Sequence, residues 1–461
     1  MLVSKLKEFS GYTSIHGIGR FGDATYILQK IFWTCICLGS FSMCVFQIYR
    51  LIGQYTSESV NTQISTTYSK LDFPSITFCN LNPLSYNKVK KVPAFYQIVN
   101  ETAKVLKVDP TFFDDDTQPT TNQHTETYTP GTDPLTTANQ VLHLRMGDYG
   151  DPEIHGYNIP QNEFIMKCSY QSRNCSSSEI QKVRDEYYGT CYKFTPASNP
   201  TNLAGPAYGL ELLLDVHQND YIPFVTATAG VRLAIHSSQY KAQLKSEGIS
   251  VSTKFETNIA MRQERFIRYA GSEELCDSNN TYSSVLPCME RCTGIAVRED
   301  CKCLSSYDFL SLAVSTMCKT TSEIECMAAT EALSGSELNC KCKMPCRQTS
   351  FKKNIFMTQY PAENYAVVLN SVMETNDSRE SISDSLSYVK IFFSSLVEDV
   401  IQEDLAYTDE NFVSDIGGQL GLWAGFSVLS LAELLELIVI LFHACCSRKK
   451  AEVNAAYDEK E

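Results

Sequence analysis

Ser414-Asp-Ile-Gly-Gly-Gln-Leu-Gly-Leu-Trp-Ala-Gly-Phe-Ser-Val-Leu-Ser-Leu-Ala-Glu-Leu-Leu-Glu-Leu-Ile-Val-Ile-Leu-Phe442 is the stretch that decides how the chain is built. From Ile416 to Cys446 it exceeds the ~20 residues an α-helix needs to cross a bilayer. Gly417, Gly421 and Gly425 recur at every fourth position, which predicts a small-residue ridge that another helix can approach closely. Glu433 and Glu436 stand three apart on one helical face, where a carboxylate is costly unless water or a cation meets it. Between ridge and carboxylates, Gly425-Phe426-Ser427 offers a place for the helix to open. Open backbone is tolerated at membrane depth where it lines a water-filled cavity or is buried in protein. A passive anchor packed on its glycines would account for the ridge alone; the two carboxylates favour a pore.

The other apolar run, Ile31 to Tyr49, marks a first transmembrane helix over 31–52. It starts too late and runs too long for a cleaved signal peptide. Lys5, Lys7, Arg20 and Lys30 precede it, and Arg448, Lys449 and Lys450 follow the second span, so both flanks, 1–30 and 447–461, are expected in the cytoplasm. Glycosylation sequons begin at Asn100, Asn174, Asn279 and Asn376, all between the two spans. The reading is therefore an extracellular domain over 53–415 and a second helix with the pore over 416–446, in the plasma membrane and in contact with its lipid. Nearly all of the net charge of −14 falls between the spans. Such a surface either concentrates cations near a pore mouth or is an ordinary soluble exterior.

Of the 19 cysteines, Cys35, Cys37, Cys44, Cys445 and Cys446 lie in or beside the spans and are expected reduced, the last two as candidates for palmitoylation. The remaining fourteen, an even number in an oxidising compartment, predict disulfides; spacing leaves their connectivity open. Cys301-Lys-Cys303 and Cys340-Lys-Cys342 would suggest zinc in a cytosolic protein, but the topology favours disulfides.

Between the spans the pattern is mainly β. Asp72 to Pro83 alternates as a strand; Leu210, Leu212, Leu214 and Val216 alternate with Glu211 and Asp215; Val231, Leu233 and Ile235 form another, and Thr257 to Tyr269 a further one. Ser387 to Phe393 reads as a short return strand. Val92 to Val108 fits a helix, and Asp114 to Asn139 an exposed loop. His217 and His236 read as solvated strand histidines, because no acid or thiol sits at ligand spacing.

Asp415-Ile-Gly-Gly-Gln-Leu-Gly-Leu-Trp-Ala-Gly-Phe-Ser-Val-Leu429 resembles the pore helix of the degenerin, epithelial sodium channel and acid-sensing ion channel superfamily. The segment Phe73-Pro-Ser-Ile-Thr-Phe-Cys-Asn80 resembles that family's signature after the first helix, Gly209 to Tyr221 its central palm, and His16-Gly17 its gating motif. The resemblance runs from His16 to about Glu436. It implies an α+β membrane protein: two transmembrane helices and a disulfide-rich ectodomain with a β palm, a helical thumb (about 276–346) and a finger. It further implies a trimeric, amiloride-blocked sodium channel whose filter is Gly425, Phe426 and Ser427. Gly421, Glu433 and Glu436 would line the pore and vestibule; His16, Gly17, Ser414 and Asp415 would act in gating. The implied disulfides are Cys79–Cys191, Cys168–Cys175, Cys276–Cys346, Cys288–Cys342, Cys292–Cys340, Cys301–Cys326 and Cys303–Cys318.

No Gly-x-Ser-x-Gly, P-loop or His/carboxylate cluster supports an enzyme, and nothing calls for a cofactor, a metal or a nucleic-acid partner. A two-pass surface receptor would explain disulfides and glycans but not Glu433 and Glu436 beside a glycine break. Two departures bear on the stimulus. Arg50 to Leu71 holds no histidine, and Arg268 to Cys276 no tryptophan, where acid-sensing members carry a His pair and a wrist tryptophan. Taken whole, the chain resembles the invertebrate members opened by extracellular neuropeptides. The alternatives are a mechanically gated or constitutively open sodium channel, then a proton-gated one. Phe426 is bulky for the middle of the triplet, which points to work beside different subunits; the assembly expected is a homo- or heterotrimer with related subunits.

Overall fold

The computed structural model describes residues 25–93, 159–185, 188–197, 200–221, 228–271, 275–303, 321–333, 335–372 and 384–458, with a few single positions besides. Its contacts divide the chain into two units, Met1–Thr62 with Glu403–Glu461, and Gln63–Gln402.

The larger unit is built on two sheets. One is antiparallel throughout, in the order β5 (Ile180–Asp185), β6 (Gly189–Phe194), β2 (Ser75–Asn80), β8 (Gly230–His236) and β9 (Ile249–Ser252). The other runs β13 (Arg347–Gln359), β10 (Phe255–Ile267), β14 (Leu386–Leu405), β7 (Leu210–Asp215), β3 (Ile165–Tyr170) and β4 (Arg173–Asn174), with β1 (Val60–Tyr68) also on β14. β10 is antiparallel to β13 but parallel to β14, so its central position rests on pairings distant in sequence. Alternation seats the core. Leu210, Leu212 and Leu214 are fully buried with Ile76, Phe78, Phe194, Ile259 and Ile391. A ring cluster of Phe73, Tyr170, Phe194 and Phe393 has centroids 5.0 to 6.5 Å apart, within the range where aromatic edges and faces attract.

Two readings of this unit are corrected. The return strand is not short: β14 carries on to Leu405, twenty residues in all. Its charged second half is held because Glu398 is buried, accepting from Gln263 Nε2 at 2.8 Å and pairing with Arg265. The histidines are not solvated strand residues. His217 sits in a turn after β7 with φ of 52°, and His236 is buried at the end of β8. There His236 Nε2 meets Thr77 Oγ1 at 2.8 Å, and burial pulls its pKa down to about 4.

Between β10 and β13 the chain inserts α2 (Val285–Cys301) and α3 (Thr321–Glu331), preceded by β11 (Cys276–Asp277) and followed by β12 (Met344–Pro345). Seven disulfides tie the unit: Cys79–Cys191, Cys168–Cys175, Cys276–Cys346, Cys288–Cys342, Cys292–Cys340, Cys301–Cys326 and Cys303–Cys318. Cys288 and Cys292 are one helical turn apart on α2 and reach Cys342 and Cys340, so two bridges lie side by side along the helix. At about 2–4 kcal/mol each, such bridges replace the core that a short helical pair cannot build for itself. A further helix, α4 (Glu363–Val372), follows β13.

In the smaller unit α1 (Ile27–Thr56) is longer than 31–52 and apolar enough to cross a membrane on its own. Phe32, Leu38, Phe41 and Phe46 are all more than half exposed on it. The second span is not one helix. α5 (Asp409–Gln419) passes into a π-helical turn at Leu420–Ala424, and α6 (Val428–Asp458) follows. Asp409–Ala424 and Val428–His443 are together long and apolar enough for one span, and they meet at 70°.

Candidate functional site

The 70° bend is made by Gly425. Its φ of +64° is a left-handed conformation that glycine adopts without steric cost, and it stops the helix. Gly425 N–H donates to Gly421 O at 3.0 Å and Phe426 N–H to Leu420 O at 3.1 Å, closing the first helix in the manner of a C-cap. Ser427 then opens α6: its N–H donates to Ser430 Oγ at 3.1 Å, while Ser430 N–H donates to Ser427 Oγ at 3.3 Å. Gly425 is therefore a helix stop and not a member of the ridge. Of the two that remain, Gly417 has no atom within 4 Å of where a side chain would begin, so within one chain the ridge faces open space there. A side chain begun at Gly421 would meet the Phe426 carbonyl oxygen at 3.9 Å, ordinary contact.

The start of α5 is pinned by aromatic rings. The Tyr407 hydroxyl donates to Asp415 Oδ2 at 2.7 Å, and the Tyr55 hydroxyl to Asp409 Oδ1 at 2.9 Å. Phe412 stacks on Tyr55 with centroids 4.4 Å apart and meets the Tyr407 ring edge-on at 6.4 Å. Burial, and then the Asp415 carboxylate, push the Tyr407 hydroxyl up to about 12, so it keeps its proton and remains a donor. Ser414 and Asp415 lie on the exposed side of this turn. Further along, Cys44 on α1 is buried with its thiol 3.9 Å from Gln419 O, and Trp423 Nε1 donates to Gln419 Oε1 at 3.1 Å.

Beyond the break, Glu433 accepts from Thr13 Oγ1 at 3.1 Å. Glu436 follows one turn later on α6. His16, Gly17, Asn100 and Asn376 lie outside the described residues; Asn174 and Asn279 are exposed. Among the described residues no three His, Cys, Asp or Glu side chains gather to hold a metal. Sequence reading missed Tyr55, Tyr407, Asp409 and Phe412, whose partnership depends on α1 lying against α5. It also missed Ser430, although Ser427-x-x-Ser430 has the spacing of a capping box.

The sequence pattern of the amiloride-sensitive sodium channel family matches residues 9–437. Degenerin-like protein asic-2 of Caenorhabditis elegans is 26% identical, covering 100% of this chain and 90% of its own length. The bile acid-sensitive ion channel of Rattus norvegicus is 25% identical over 95% and 88%. Acid-sensing ion channel 1 of Gallus gallus is 25% identical over 97% and 86%. This chain belongs to the amiloride-sensitive sodium channel family, within the degenerin, epithelial sodium channel and acid-sensing superfamily.

Proposed function

We propose that the chain is a subunit of a sodium-selective, amiloride-blocked cation channel of the plasma membrane, opened by an extracellular neuropeptide. Both termini lie in the cytoplasm, and three such chains, identical or related, enclose the pore. The observation that carries this reading is the break at Gly425-Phe426-Ser427, where an apolar span bends by 70° with Glu433 and Glu436 beyond it. Bent backbone at membrane depth supports a pore, since its freed polar groups need water or ions. Around that pore, Gly417, with nothing within 4 Å of where a side chain would begin, suits close approach of a second copy.

Residues 1–30 and 447–461 are assigned to the cytoplasm, 31–52 and 416–446 to the membrane, and 53–415 to the outside. Tunicamycin or endoglycosidase should then shift the protein's mobility, and a C-terminal tag should be stained only after permeabilisation. The missing histidines of Arg50 to Leu71 and the missing tryptophan before Cys276 count against proton gating, and neuropeptide gating rests on the resemblance of the chain as a whole. The deciding test is whole-cell current from the chain, alone and with related subunits, during application of amidated peptides, acid or bile acid. Amiloride-blocked sodium current evoked by a peptide is expected. Current present without stimulus, or evoked by stretch, would select the second reading, a constitutively open or mechanically gated channel.

A further inference from the structure

Ser430 is fully buried in the apolar run Val428-Leu429-Ser430-Leu431-Ala432. A hydroxyl in such a place is costly unless its hydrogen bonds are made. Three lie within the Gly425-Phe426-Ser427 triplet. Ser430 Oγ receives the Ser427 N–H at 3.1 Å, lies 3.2 Å from Ser427 Oγ, and can give its proton to Gly425 O at 3.4 Å. In return Ser427 Oγ receives the Ser430 N–H at 3.3 Å. The proton count can close: with Ser427 O–H donating to Ser430 Oγ, the Ser430 O–H is left for the Gly425 carbonyl. Both ends of the Gly425-Phe426-Ser427 triplet are thereby tied to one side chain.

We propose that Ser430, which sequence reading did not select, is the positioning residue of the ion filter. It closes a reciprocal cap with Ser427 and restrains the Gly425 carbonyl, so that the oxygens of the triplet keep fixed spacing. Sodium preference requires closely held oxygens in place of hydration water, and a bend free to relax would lose that spacing. The inference rests on the filter reading above and adds a residue that touches no ion. A β-branched side chain can keep the cap if it keeps the hydroxyl. Thr and Val have nearly the same shape, so they separate the hydroxyl from packing.

The test measures the sodium-to-potassium permeability ratio from bi-ionic reversal potentials, with surface biotinylation, in the conducting assembly of the full-length chain. The variants are Ser430→Thr, Ser430→Val, Ser427→Ala and the double Ser427→Ala/Ser430→Val. Ser430→Val should lower the ratio by about three- to tenfold, the factor for losing one ordinary hydrogen bond. Ser430→Thr should keep the ratio. The double variant should be no worse than either single one, because the cap is reciprocal. If Ser427→Ala lowers the ratio and Ser430→Val does not, the filter reading stands and the positioning role is overturned. Equal loss in Ser430→Thr and Ser430→Val also overturns it, as does Ser430→Val failing to reach the surface while Ser430→Thr arrives. If neither Ser427→Ala nor Ser430→Val moves the ratio, the filter reading itself falls.

Discussion

The Tyr407 hydroxyl and the Asp415 carboxylate meet at 2.7 Å, eight residues apart across the first turns of α5. The bond fixes the helix start, and Phe412 and Tyr55 pack beside it. Tyr407→Phe and Asp415→Asn should therefore shift the open–closed equilibrium in the same direction. Each shift should be roughly fivefold, the factor that one ordinary hydrogen bond contributes. The double variant should show little more than one single shift. Fully additive effects would mean that the two side chains act separately.

Ser414 lies on the exposed side of that same turn. In the proposed trimer this places a small residue where three helices cross. Ser414→Val should raise amiloride-blocked standing current several-fold at unchanged surface amount. A correctly delivered variant that stays silent would remove Ser414 from the gate.

The buried Glu179 carboxylate accepts from both Arg173 guanidinium nitrogens, at 2.5 and 2.9 Å, and from the backbone N–H groups of Ser176 and Ala197. Arg173 first, then those N–H donors, hold its pKa down at about 2 against an ordinary 4.5. Its stabilisation is full above pH 4.5 and is lost as pH falls from there toward 2. Because Arg173 is partly exposed, the contribution is discounted to about 1–2 kcal/mol. Calorimetry of Glu179→Gln should show a lower Tm at pH 7, with the gap to the parent closing toward pH 2.

His236 works in the opposite chemical sense. Burial keeps the ring neutral to about pH 4, whereas the unfolded chain takes the proton near 6.5. The unfolded state thus binds more protons between those values, and stability falls as pH drops from 6.5 to 4 by at most about 1.4 kcal/mol per unit. His236→Gln should flatten that part of the Tm–pH curve. An unchanged slope would assign the acid sensitivity to other groups.

How much of this was legible depends on where each constraint resides. The break was readable because only glycine enters the left-handed region cheaply, and two positions after Gly425 stands a serine that can start a helix. The Leu210 to Val216 strand was readable from its alternation. The length of β14 was not, since Glu398 and Asp399 look solvated until β10 is placed beside them with Arg265 and Arg262. Nor was the environment of His236, because Thr77 is 159 residues away. The tyrosine cluster likewise joins Tyr55 to Asp409, 354 positions apart.

The central claim is that selectivity resides in Gly425-Phe426-Ser427 and not in the Glu433 carboxylate. Glu433 lies on α6 beyond the break and already accepts from Thr13, a place suited to drawing cations inward rather than choosing among them. The direct measurement is the bi-ionic sodium–potassium reversal potential of Ser427→Ala and Glu433→Gln in the conducting assembly. Ser427→Ala should admit more potassium, while Glu433→Gln lowers conductance and leaves the reversal potential in place. Sodium preference lost in Glu433→Gln and kept in Ser427→Ala would contradict the account.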